Sequence, residues 1–140
     1  MPIEIKYSDS GTGTIVTGSG KITDEEYISF YRKHLSKDGE SLHKYKYNLT
    51  DWSDVANVEI SIDAITEIAF LSKEAAEIDP GCVTAIVATK ELLFGLSRMW
   101  ETQSSNSEST VRVFWDRAAA EDWIRQKVEE KHGISDLAFD

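Results

Sequence analysis

At 140 residues the chain has the length of one domain, and with 41% apolar and 29% charged residues it has the composition of an ordinary folded one. Fifteen basic and 25 acidic residues give a net charge of −10, spread along the chain. That balance argues against nucleic acid, whose phosphates need clustered Lys and Arg, and against an anionic membrane surface.

Cys82 stands alone, so an intramolecular disulfide and a zinc cage are not expected. The opening Met1-Pro-Ile-Glu-Ile-Lys6 lacks the basic and long apolar regions of a secretory leader, and no run approaches the roughly 18 apolar residues of a membrane span. A cytoplasmic address is the expectation. Asn48-Leu-Thr50 matches a glycosylation acceptor that such a compartment leaves idle.

Residues 3–7 alternate as a strand, and 14–17 resume the pattern after the turn Asp9-Ser-Gly-Thr-Gly13, which predicts a hairpin. Gly11-Thr-Gly13 and Gly18-Ser-Gly20 read as hairpin residues; neither is a phosphate loop. Thr23-Asp-Glu-Glu26 is a capping box that opens a helix running to about Ser36, with Tyr27, Phe30, Tyr31, His34 and Leu35 on its apolar side. Residues 45–51 form the third strand, and 52–59 a loop or short irregular strand. Ser61 caps a second helix ending before Pro80-Gly81, whose Ile62, Ile65, Ile68, Ala69, Leu71, Ala75 and Ile78 cover a wide buried arc.

Residues 82–88 are apolar without alternation, as in a parallel strand buried on both faces. A third helix spans about 90–102, with Leu92, Leu96, Met99 and Trp100 as its core stripe. A polar, serine-rich loop covers 103–109, and the fifth strand 110–115. Asp116 caps a last helix that buries Ala120, Trp123, Ile124, Lys127 and Val128 and stops at Gly133. The order β-β-α-β-α-β-α-β-α demands an α/β fold: a five-stranded, mostly parallel mixed sheet flanked by four helices. One domain is expected over 1–140, with its core at about 3–130 and a tail, 133–140, left disordered.

The segments Ala85-Ile-Val-Ala88, Leu93-Phe-Gly-Leu-Ser-Arg-Met-Trp-Glu101, Val111-Arg-Val-Phe114 and Ala120-Glu-Asp-Trp-Ile124, with Tyr47-Asn-Leu-Thr-Asp51, together resemble small bacterial proteins of the STAS-like type. These are related in fold to anti-sigma-factor antagonists and the cytoplasmic domains of sulfate transporters. CRAL-TRIO-type lipid-transfer domains are a more distant similarity. The resemblance implies a binding or regulatory role instead of catalysis; no cofactor is expected. Antagonists carry an Asp-Ser-Ser-Gly-like motif with a phosphorylated serine where the third strand meets the second helix. This chain has Glu59-Ile-Ser-Ile-Asp63 there, so Ser61 reads as a helix cap; Ser53, in the preceding loop, is the other accessible serine.

Three candidate surfaces follow. Ile65, Ile68, Leu71, Leu92, Leu96, Met99 and Trp100 would line a gap holding a small apolar ligand. Phe94, Gly95, Arg98 and Glu101 would form a homodimer interface on the third helix, because Gly95 weakens it by about 1 kcal/mol and Phe94 reads as outward-facing. Asp51, Asp54, Glu59 and Asp63 carry the competing expectation, a metal-dependent or hydrolytic enzyme using oxygen ligands at a strand end. The expected partners are a second copy, another protein or a small apolar ligand, with no metal, nucleic acid or membrane.

Overall fold

The computed structural model describes residues 3–34, 45–78, 81–104 and 110–140. Strand β1 (Ile3–Ser8) passes through a short 3-10 turn (Asp9–Gly11) into β2 (Gly13–Thr23), followed by α1 (Asp24–His34), β3 (Tyr47–Glu59), α2 (Ile62–Ile78), β4 (Val83–Val87), α3 (Glu91–Ser104), β5 (Thr110–Phe114) and α4 (Arg117–His132). The sheet order is β1-β2-β3-β4-β5; β1 runs antiparallel to β2 and every other pair is parallel. Fold class and element order are those expected.

Three successive crossovers run in one direction across this sheet. Crossovers of a single hand then place their helices on the same face. Val16, Trp52, Ile86 and Val113 accordingly pack with Tyr27 and Tyr31 of α1, Ile65, Ile68 and Ala69 of α2, and Leu93, Leu96 and Trp100 of α3. The other face carries Ile15, Tyr47, Leu49, Val83, Ala85 and Val87, covered by Ala120, Trp123, Ile124 and Val128 of α4. Buried Thr14, Asn48 and Thr50 satisfy one another: Asn48 Nδ2 donates to Thr14 Oγ1 at 2.8 Å, and Thr50 Oγ1 to Asn48 Oδ1 at 2.5 Å.

The strands β2 and β3 are longer than the hydropathy pattern suggests. Residues 18–20 belong to β2, and 52–59 to β3, with two register shifts along the pair. The glycines explain why. A Cβ on Gly13 would lie 2.0 Å from the Tyr47 ring, and one on Gly18 would lie 2.3 Å from the Trp52 ring. Each is a seat for a β3 aromatic, one on each face of the sheet.

Helix ends follow their capping residues. Thr23 Oγ1 accepts from the Glu26 amide at 3.4 Å and donates to Glu26 Oε1 at 2.9 Å. Asp116 accepts from the Ala119 amide at 2.8 Å, and Gly133, at φ 68°, ends α4 in the left-handed conformation. The segment after it, expected to be disordered, has no helix or strand yet buries Leu137 and Phe139 against Tyr47 and α4. Leu35, Pro80 and most of the serine-rich loop 103–109 fall outside the described residues.

Candidate functional site

The carboxyl end of the sheet holds a linear ion network. Asp51 ends the part of β3 that pairs with β4, opposite Val87. Its Oδ1 accepts from the Ser53 amide at 2.9 Å and from the Ser53 hydroxyl. Its Oδ2 lies 3.4 Å from Arg117 Nη1, and Arg117 Nε donates to Glu121 Oε2 at 2.9 Å. These acids are satisfied by a guanidinium and a hydroxyl, an arrangement that braces the start of α4 against β3.

The acidic cluster read from the sequence does not converge. Asp51 and Glu59 sit eight residues apart on one extended strand, roughly 25 Å of rise. Glu59 pairs with Lys21 at 3.2 Å, while Asp54 and Asp63 are exposed. Among the described residues no group of three His, Cys, Asp or Glu side chains is placed to hold a metal ion.

Ser61 is the N-cap of α2: its Oγ accepts from the Ala64 amide at 3.1 Å. Its amide and hydroxyl both donate to Asp24, at 2.7 Å each, tying the start of α2 to the start of α1. A phosphate on Ser61 would lose that bond and face the Asp24 carboxylate. Ser53 donates to Asp51.

The residues expected to line an apolar ligand gap are core. Ile65, Ile68, Leu96 and Trp100 are buried, and Leu71 and Met99 pack against the same cluster; the side chain of Leu92 lies outside the described ones. Leu93 and Ser97 point inward where Met99 was expected, so α3 is turned on its axis relative to that reading.

This rotation changes the expected dimer surface. Phe94 is half-buried and stacks on Trp115, centroids 4.0 Å apart and planes 9° from parallel. Glu101 accepts from the Val113 amide at 2.9 Å and lies 4.0 Å from Arg98 of its own helix. The Arg98–Glu101 pairing expected between two chains is thus made within one. Gly95, Arg98, Met99 and Thr102 line an open depression of about 310 Å³.

Sequence reasoning missed the exposed apolar side chains. Ile62, assigned to the buried arc of α2, is 60% exposed, and Phe70 is 62% exposed. They lie eight residues apart on one helix, hence on one face. Trp115 and Tyr7 are the other large apolar residues exposed among those described. Two clefts of about 400 and 390 Å³ flank β1 and α1, sharing Ile3, Phe30 and His34. No described helix is long and apolar enough to cross a membrane.

No protein-family model matches the chain, and no curated protein does. Among solved structures it is similar to an uncharacterized protein of the DUF3478 family from Shewanella loihica PV-4, which has a SpoIIAA-like fold. Identity is 20%, coverage 87% of this chain and 91% of that one, and the TM-score 0.53. This chain has a SpoIIAA-like fold. That is the STAS or anti-sigma-factor-antagonist fold to which the sequence resemblance pointed. In this SpoIIAA-like frame Ser61 occupies the cap that opens α2, and Ile62 and Phe70 lie on the exposed face of the same helix.

Proposed function

We infer that the chain is a non-catalytic STAS-like module that regulates a protein partner by binding it on the outer face of α2. The observation that carries this reading is the exposed pair Ile62 and Phe70 on that face. They are about 12 Å apart along the axis, with exposed Thr66 between them and exposed Asp63 at the helix start. An apolar pair in a polar setting is the composition of a small interface core. The net charge of −10 favours a partner with a basic rim.

The sheet supports surface binding over a buried ligand. Small-molecule sites in open α/β sheets form where the strand order reverses and helices part to opposite faces. The order β1-β2-β3-β4-β5 has no reversal, and α1, α2 and α3 share a face.

The test has two stages. Proteins from the native host captured on wild type but not on Phe70→Asp are identified, then purified and titrated against both by calorimetry. The expected result is direct binding to wild type, weakened at least about tenfold by Phe70→Asp and by Ile62→Asp, with melting temperatures unchanged. A purified partner that binds all three equally overturns the reading.

A further inference from the structure

We propose that β1 is a self-recognition edge, on which a second copy pairs antiparallel to give a continuous ten-stranded sheet. Among the described residues β1 pairs with β2 alone, which leaves its second edge of backbone amides and carbonyls unpaired by any strand. Such an edge is a template for strand addition.

The side chains of β1 select its own copy as the occupant. Its even positions, Glu4 and Lys6, are exposed on the face opposite α1 and make no ion pair among the described residues. The strand is locally neutral in a chain of net charge −10, so along it two acidic molecules meet without repulsion. On the other face Ile3 is buried, Ile5 partly buried and Tyr7 47% exposed.

The register follows from symmetry. A two-fold axis perpendicular to the sheet keeps each face continuous, so it must pass through a residue position and not between two. Centred on Glu4 or on Lys6, it sets two like charges opposite each other. Centred on Ile5, it sets Glu4 opposite the partner's Lys6, twice, and Tyr7 opposite the partner's Ile3. Opposite charges directly across a strand pair are favourable and like charges unfavourable. The cleft of about 400 Å³ along the strand takes in Glu4 and Lys6 as well as Ile3, Ile5, Phe30 and His34, so the partner's strand would meet both charged and apolar residues there. Six residues of strand give a small interface, so the dimer belongs in the micromolar range.

Sedimentation equilibrium from about 5 to 200 µM tests this. Wild type is expected to form a dimer in that range. Glu4→Lys and Lys6→Glu should each weaken it on the order of tenfold, because each substitution acts twice by symmetry, and the double exchange should restore it. Phe70→Asp should leave the dimer intact, which separates this edge from the partner face on α2. Circular dichroism melts of the charge variants should match wild type, since both side chains are exposed. A wild type that stays monomeric, single exchanges without effect, or a double exchange that fails to restore the dimer each overturns the proposal.

Discussion

The hydroxyl of Tyr47 donates to Asp9 Oδ2 at 2.6 Å, joining the first residue of β3 to the turn that opens the β1–β2 hairpin. The other hydroxyl contact of Tyr47 is Ser8 Oγ. Asp9 also accepts from the amides of Ala138 at 2.7 Å and Phe139 at 3.2 Å. The Phe139 ring stands edge-on to Tyr47 at 5.1 Å, with the Arg125 guanidinium 4.9 Å over its centroid. Asp9, Ser10 and Phe139 hold left-handed backbone angles, φ 51°, 57° and 58°. Non-glycine residues keep such angles where their surroundings over-determine them.

Removing the Tyr47 hydroxyl should therefore loosen the segment 134–140 as well as the hairpin turn. Tyr47→Phe is expected to cost about 1–2 kcal/mol in urea unfolding, the worth of a hydrogen bond to a charged, partly exposed acceptor. Hydrogen exchange at Ala138 and Phe139 should accelerate. Unchanged exchange there would show that the segment is held without Asp9.

The same carboxylate predicts a pH dependence. Burial opposes ionisation of Asp9, but the hydrogen bonds from Tyr47, Ala138 and Phe139, with nearby Arg125, outweigh it and hold its pKa below the ordinary value. A group lowered in the folded state contributes stability fully above its unfolded pKa of about 3.9, and loses it as pH falls through the folded value. The stability gap between wild type and Asp9→Asn should be widest at neutral pH and close on acidification below about pH 4. A gap that is constant down to about pH 2 would refute the assignment.

Two glycines and a third should respond to alanine in opposite directions. Gly13→Ala and Gly18→Ala drive a Cβ into the rings of Tyr47 and Trp52, and each should cost about 2–3 kcal/mol by overpacking. Gly95 lies inside α3, and a methyl group added there would meet no heavy atom within 4 Å beyond its own helix backbone and chain neighbours. Gly95→Ala should instead stabilise by about 0.5–1 kcal/mol, the helix-propensity gain. Thermal melts of the three variants decide the matter.

At Ser61 the cap and the charge pull apart. Ser61→Ala should cost about 1 kcal/mol through loss of the cap. Aspartate is as good a cap as serine, yet Ser61→Asp would face Asp24, which now accepts from Ser61 Oγ at 2.7 Å. It is expected to destabilise too, and Asp24→Asn in the same chain should restore most of the loss. Urea titrations showing Ser61→Asp equal to wild type would remove the objection to a phosphate at this position.

Elements with a period were legible in the sequence. The apolar run of β4 and the caps at Thr23, Ser61, Asp116 and Gly133 declared themselves because each is a local pattern with a local cause. The far halves of β2 and β3 did not. Gly18 and Gly20 read as hairpin residues, because the Trp52 ring that gives Gly18 its purpose is remote in sequence. On α3 one residue is about 100° of rotation, and the expected stripe left out Leu93 and Ser97, which are buried beside Leu96 and Trp100 while Met99 is only partly buried. The stacking of Phe94 on Trp115 depends on that angle. Leu137 and Phe139 carried no period at all.

Because strand order equals chain order, every strand after the first finds its neighbour already made. A chain emerging from its amino end can add each strand–helix unit to a finished edge, with no vacancy held open for a segment yet to come. The return of residues 138 and 139 to Asp9, across 129 and 130 positions, breaks that nearest-neighbour rule. It ties a segment that follows α4 to the first hairpin, and so turns a structure built by accretion into a closed loop.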